Sequence, residues 1–195
     1  MRLRRKPWVD KAIHDFDDFV FPKDAPASEE QQGRWAEVFG REAPLYVELG
    51  TGKGDFISQM AEREPGVNFI GIEAQQDVLY AAAKKVAAME LKNVRLLVFD
   101  IHEIERIFAP GEVDRFFLNF CDPWPKKRHY KRRLTYRGFL EKYRHLLKQG
   151  GELHFKTDNR PLFDFSLKEF EAAELPVRDV SYDLHAENRP DNIMT

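Results

Sequence analysis

The chain has 195 residues, enough for one domain with a substantial core. Hydrophobic residues are 43% and charged residues 33% of the total, a balance that excludes a disordered chain. The formal net charge is −2, so contact with a polyanion must come from a local basic cluster, with the acids grouped elsewhere.

Residues 1–43 read as an N-terminal extension, and residues 44–195 as the main domain. The extension opens on Arg2, Arg4, Arg5 and Lys6, a basic arm suited to RNA. It lacks the apolar segment of a secretory signal. Ser28 is placed to cap a helix over 29–39. A strand over 45–49 runs into the tight turn Gly50-Thr51-Gly52-Lys53-Gly54, and a helix follows over 55–63. A second strand over 67–72 ends at Glu73, before a long helix over 75–90. A third strand over 94–99 ends at Asp100, before a short helix over 102–108. The apolar run 113–120 reads as a fourth, buried strand. A helix over 136–147 is stopped by Gly150-Gly151. A fifth strand over 152–156 leads into Thr157-Asp158-Asn159. A helix over 161–172 and a sixth strand over 177–184 complete the pattern.

Strands alternating with helices imply an α/β, Rossmann-like fold with a mostly parallel central sheet and helices on both faces. Ligands of such sheets bind outside the carboxyl ends of the strands. Glu48, Glu73, Asp100, Asp122 and Asp158 all fall at or just past such ends. One acid there is commonly a helix cap; five in phase point to a site. No stretch approaches the ~20 apolar residues of a membrane span, which makes the cytoplasm the expected location. The lone Cys121 excludes an internal disulfide and a cysteine zinc site, and no metal is expected.

The chain is organised around Asp122-Pro123-Trp124-Pro125 and the block Lys126-Lys127-Arg128-His129-Tyr130-Lys131-Arg132-Arg133 that follows. Two prolines stiffen the backbone around Trp124 and prevent a ladder from continuing. A carboxylate at a strand end, a fixed aromatic and a cationic arm suit chemistry on a polyanion. Upstream, Glu48-x-Gly50-x-Gly52-x-Gly54 is neither a dinucleotide fingerprint nor a phosphate-binding P-loop. Its glycines allow a ligand close to the backbone. With Glu73 placed to accept from ribose hydroxyls and Asp100 from an adenine amino group, the pattern resembles class I S-adenosylmethionine-dependent methyltransferases. Carboxylates complement the cationic sulfonium and amino groups of that cofactor.

Together with Gly71-Ile72-Glu73, Asp122-Pro123-Trp124-Pro125-Lys126-Lys127-Arg128-His129 and Thr157-Asp158-Asn159, the sequence closely resembles the bacterial tRNA (guanine-N7-)-methyltransferase family. The resemblance covers most of the chain from Leu45 onward. It implies methyl transfer from S-adenosyl-L-methionine to N7 of a guanosine in the variable loop of tRNA, with S-adenosyl-L-homocysteine as product. By the same resemblance Glu48, Gly50, Gly52, Gly54, Glu73, Asp100 and Asp122 bind the cofactor, and Asp122 is also catalytic. Lys126, Asp158 and Thr195 would bind the substrate base. Arg128, His129, Tyr130, Lys131, Arg132 and Arg133 would contact RNA. Thr195 resembles the first residue of the family's T-x-x-E motif; the Glu of that motif and the family's C-terminal strand are expected either to follow these 195 residues or to be missing from the domain. The expected assembly is a monomer or homodimer, without membrane or metal. Two alternatives share the fold: a methyltransferase for exocyclic base amines, and a non-catalytic RNA-binding protein. The first commonly carries Asp/Asn-Pro-Pro-aromatic where this chain has Asp122-Pro123-Trp124-Pro125.

Overall fold

The computed structural model describes residues 6–184, 186–187 and 192–193. Six strands form one sheet in the order β1-β4-β3-β2-β5-β6, and every pairing is parallel. In chain order they are β1 (Val20–Phe21), β2 (Leu45–Leu49), β3 (Asn68–Glu73), β4 (Val94–Val98), β5 (Val113–Asn119) and β6 (Leu147–Lys156). The helices are α1 (Val9–Ala12), α2 (Trp35–Phe39), α3 (Asp55–Arg63), α4 (Gln76–Ala88), α5 (Arg137–Leu146) and α6 (Arg160–Ala172).

The central strands are apolar on both sides because both sides are covered. On one face Val47, Leu49, Ile70, Ile72, Phe116 and Leu118 pack with Trp35 of α2, Leu140 and Tyr143 of α5 and Phe170 of α6. On the other, Phe69, Leu96 and Phe117 pack with Phe56 and Ile57 of α3 and Leu79, Ala83 and Val86 of α4. Gly54 sits where α3 and α4 nearly touch: a Cβ there would stand 2.8 Å from that of Ala82.

The N-terminal segment joins this body. Val9 and Ile13 are fully buried, and β1 adds to the sheet beside β4. Lys6 N donates to Asp77 Oδ2, Lys23 N donates to Gln76 Oε1, and Gln76 Nε2 donates to Asp10 Oδ1. The bases Arg2, Arg4 and Arg5 lie outside the described residues.

Four expectations require correction. The helix over 29–39 is two pieces, a 3-10 turn at Glu29–Gln31 and α2, because Gly33 takes a left-handed conformation between them. Ser28 does cap the first piece, through a reciprocal box with Gln31. The segment after Asp100 is a 3-10 turn, Ile101–Arg106, broken by non-helical Glu103. Gly150-Gly151 does not end a helix; it lies inside β6, which begins at Leu147. There six residues of β6, Leu147 to Glu152, run against three of β5, Val113 to Arg115. The segment 177–184 is not a strand: Val177 and Val180 are both exposed, and Asp179 between them has φ 54°, which breaks an extended run. The sixth strand is instead β1, at the opposite edge.

Candidate active site

An all-parallel sheet puts every strand's carboxyl end on one edge. Read across the strands from β4 to β6, that edge carries Asp100, Glu73, Glu48, Asp122 and Asp158 in spatial order. The expectation that these acids share one rim holds in the fold.

Glu48 is the buried member, only 4% exposed. Its Oε2 accepts from Thr51 Oγ1 at 2.6 Å and its Oε1 from Asn119 Nδ2 at 2.9 Å. Burial pushes its carboxyl up to about 7, against the pull of those two donors. Among the described residues no cationic side chain pairs with it. Asn119 Oδ1 is buried beside it with no partner of its own among the described residues. Glu73, half-buried, accepts from Gly52 N at 3.3 Å and from Gln75 N at 3.0 Å. Burial raises its carboxyl too, and Asp122 lies near enough to raise it further. Between these acids Gly50 and Gly52 have φ of 79° and 57°, and nothing lies within 4 Å of where a Cβ would stand. The turn is therefore an open cradle with backbone at its surface.

Asp100 is more exposed. Its Oδ1 accepts from both the backbone N–H and the ring Nδ1 of His102, at 2.9 and 2.8 Å. Partial burial pushes its carboxyl up, but the His102 contacts outweigh this and hold it below the usual value. Beside it a cleft of about 640 Å3 opens between the ends of β3 and β4. Ala74, Gln75, Val98 and Phe99 line it together with Asp10 and Lys23 from the N-terminal segment. Thr51, Asn119, Asp10, Lys23 and Gln76 escaped the sequence reading. Thr51 and Asn119 were detectable as polar residues at strand ends; the other three are brought in only by tertiary packing.

Asp122 is exposed, and among the described residues nothing donates to its carboxylate. Its loop is strained: Phe120 and Trp124 have φ of 52° and 42°. Phe120 N donates to Lys156 O at 2.9 Å, which ties the start of the loop to β6. Lys126 is exposed and precedes a 3-10 turn, Lys127–Arg132. Arg132 lies 4.9 Å from the Trp124 ring, and Arg128 Nε donates to His129 Nε2. Lys131 lies 6.0 Å from the Tyr130 ring, which packs edge-on against Tyr136. His129 is held below its ordinary value by desolvation and by Arg132, Arg128 and Lys126. Arg133 turns inward, toward Pro123 and Trp124. Burial raises the Cys121 thiol to about 11, which removes it as a nucleophile.

Asp158 is exposed at the far end of the rim. It lines, with Phe120, Lys156 and Thr157, a groove of about 1230 Å3 along β6. Its neighbours do structural work: Thr157 Oγ1 accepts from Asn159 N, and Asn159 Oδ1 caps α6 at Leu162 N. Thr195 lies outside the described residues. Among the described residues no cluster suits a metal ion, and no helix is long and apolar enough to cross a membrane.

The profile of a family described as "Putative methyltransferase" matches residues 42–195. The chain is 49% identical over all 195 residues to a tRNA (guanine-N(7)-)-methyltransferase of Bacillus subtilis (strain 168), covering 90% of that protein. It is 48% identical, again over its whole length, to the protein of that name from Geobacillus sp. (strain WCH70), covering 87% of it. Among solved structures, the antibiotic-resistance methyltransferase Kmr superposes with a TM-score of 0.51 at 18% identity. That match covers 74% of this chain and 85% of Kmr and reports on the fold alone.

Proposed function

The chain belongs to the tRNA (guanine-N(7)-)-methyltransferase family, and on that premise we propose how its residues carry methyl transfer from S-adenosyl-L-methionine to guanine N7 in tRNA. The observation that carries the reading is the acidic rim around an open glycine cradle, bordered by an exposed aspartate and a cationic loop. The residues present fit a cationic cofactor: a buried acid without a cationic partner among the described residues, an orphaned acceptor on Asn119, and a turn with room above it.

When bound, the cofactor supplies an electrophilic methyl carbon on a sulfonium. Glu48 offers the counter-charge to its cationic groups, and Gly50 and Gly52 let the backbone approach; Gly54, expected to join them, instead serves the close packing of α3 on α4, where a Cβ would stand 2.8 Å from that of Ala82. Glu73 accepts from ribose hydroxyls, and Asp100 accepts from the adenine amino group through the oxygen that His102 leaves open. Asp10 and Lys23 wall the adenosine end of the cleft.

Guanine N7 has an in-plane lone pair and needs no deprotonation before attack. The site therefore requires no general base, which agrees with the inert Cys121 and the bystander His129. Its task is alignment, worth up to roughly 7–11 kcal/mol, and stabilisation of the positive charge that develops on the purine. Asp122, at the mouth of the site, supplies that stabilisation. Asp158 accepts from the N1 and N2 edge of guanine, which adenine cannot satisfy. Lys126 faces the substrate. Arg128, Lys131 and Arg132 take phosphates of the tRNA variable-loop region; those contacts position without reading sequence.

The test is transfer of labelled methyl to an unmodified tRNA transcript with the product nucleoside identified. N7-methylguanosine, revealed by chain cleavage after borohydride and aniline, is the expected product. An N2- or N6-methylated base, or no transfer despite cofactor binding, would overturn the reading.

A further inference from the structure

Arg133 closes a run of cations but is placed unlike the rest. Arg128, Lys131 and Arg132 are exposed, whereas Arg133 is half-buried. Its Nε donates to Pro123 O at 3.0 Å and its Nη2 to Trp124 O at 3.1 Å. The other side of the guanidinium lies 4.3 Å from the ring of Phe165, on α6. The two carbonyls it grips directly follow Asp122.

This loop has few other ways to be held. Pro123 and Pro125 have no N–H to donate. Trp124 sits in a left-handed conformation that a bulky residue adopts only when its surroundings impose it. The planar fork of arginine spans two adjacent carbonyls, as the point charge of lysine does not. With Phe120 tied to Lys156 on one side, Arg133 fixes the loop on the other.

We propose that Arg133 is a positioning residue for the reaction: it latches the Asp122-Pro123-Trp124 backbone onto α6 and holds Asp122 at the mouth of the site, and it is not a phosphate contact. The inference that this latch matters to the rate rests on Asp122 acting on the reacting base; the latch itself does not. Misplacing a catalytic group by about an ångström can cost on the order of 100-fold in rate.

The experiment measures Arg133→Ala, Arg133→Lys and Arg132→Ala in the full chain. Its readouts are single-turnover methyl transfer at saturating tRNA, tRNA affinity against salt, and hydrogen exchange over 119–133. Arg133→Ala should lower the single-turnover rate about 30- to 100-fold, with Arg133→Lys between it and the parent. It should speed exchange over 119–133 and leave the salt slope of tRNA binding unchanged. Arg132→Ala, at a phosphate contact, should instead flatten the slope. Phe165→Leu, which keeps an apolar filler in α6, should reproduce the faster exchange if Arg133→Ala fails to fold. Unchanged exchange in Arg133→Ala and Phe165→Leu, or a salt slope that drops by about one in Arg133→Ala at full single-turnover rate, would overturn the proposal. Faster exchange together with an active Asp122→Ala protein would uphold the latch and discard the role given to Asp122.

Discussion

The site has two halves built on different principles. Around Glu48 the carboxylate is buried, two side chains donate to it, and β2 lies between β3 and β5. Around Asp122 the carboxylate is exposed, and its loop is tied down by the Phe120 N–Lys156 O hydrogen bond and by Arg133. Both acids cap neighbouring strands, so sheet topology alone does not distinguish them. Burial does. An acid sunk in the core is suited to holding a cationic ligand in one place. An acid on a clamped surface loop is suited to meeting a macromolecular substrate that arrives from solvent.

Asp122→Ala separates the two halves most strongly. Because nothing among the described residues donates to Asp122, its removal should leave the melting temperature unchanged while methyl transfer falls by about 100-fold or more. A thermal melt and a turnover assay on the same sample check both halves; a destabilised variant would mean that the loop is structural.

Glu48→Gln addresses the buried half and should weaken S-adenosyl-L-methionine binding roughly tenfold at pH 8, read by calorimetry. Folding raises the Glu48 carboxyl from its ordinary 4.5 to about 7, so the folded chain binds that proton more tightly than the unfolded one. The resulting penalty to stability is absent below 4.5, grows through the interval and is complete above about 7. The ligand-free Gln variant should therefore melt higher than the parent above pH 7 and no higher below 4.5. Affinity for the cationic cofactor should rise with pH through about 7 in the parent and stay flat in the variant.

Arg132→Ala should weaken tRNA binding a few-fold and lower the log–log salt slope by about one, measured by filter binding from 50 to 200 mM salt. Gln76→Ala removes the bridge between Lys23 N and Asp10 that walls the cleft. It should raise the cofactor Kd by about threefold, with the single-turnover rate at saturation unchanged.

The same division governs what could be read without coordinates. β2, β3, β4 and β5 are apolar runs that end at or near an acid, so the sequence shows both the strands and the rim. β6 begins in Leu147-Lys148-Gln149-Gly150-Gly151, which carries no strand pattern because a bulge, not a regular ladder, joins it to β5. β1 is two residues long and exists only because β4 has an open edge. The basic block is visible as charge, but nothing in Lys131-Arg132-Arg133 says that the last guanidinium faces inward. That follows from Phe165, thirty-two positions away, and from the two carbonyls beside Asp122. The N-terminal wall of the cleft was hidden for the same reason, since Asp10 and Lys23 reach it only through α4.

Single-turnover methyl transfer to tRNA at saturating S-adenosyl-L-methionine, run side by side on Glu48→Gln and Asp122→Ala, tests the division of labour most directly. Saturation should restore Glu48→Gln to within about threefold of the parent rate and leave Asp122→Ala about 100-fold slower. Equal losses in the two variants, or recovery of Asp122→Ala at saturation, would contradict it.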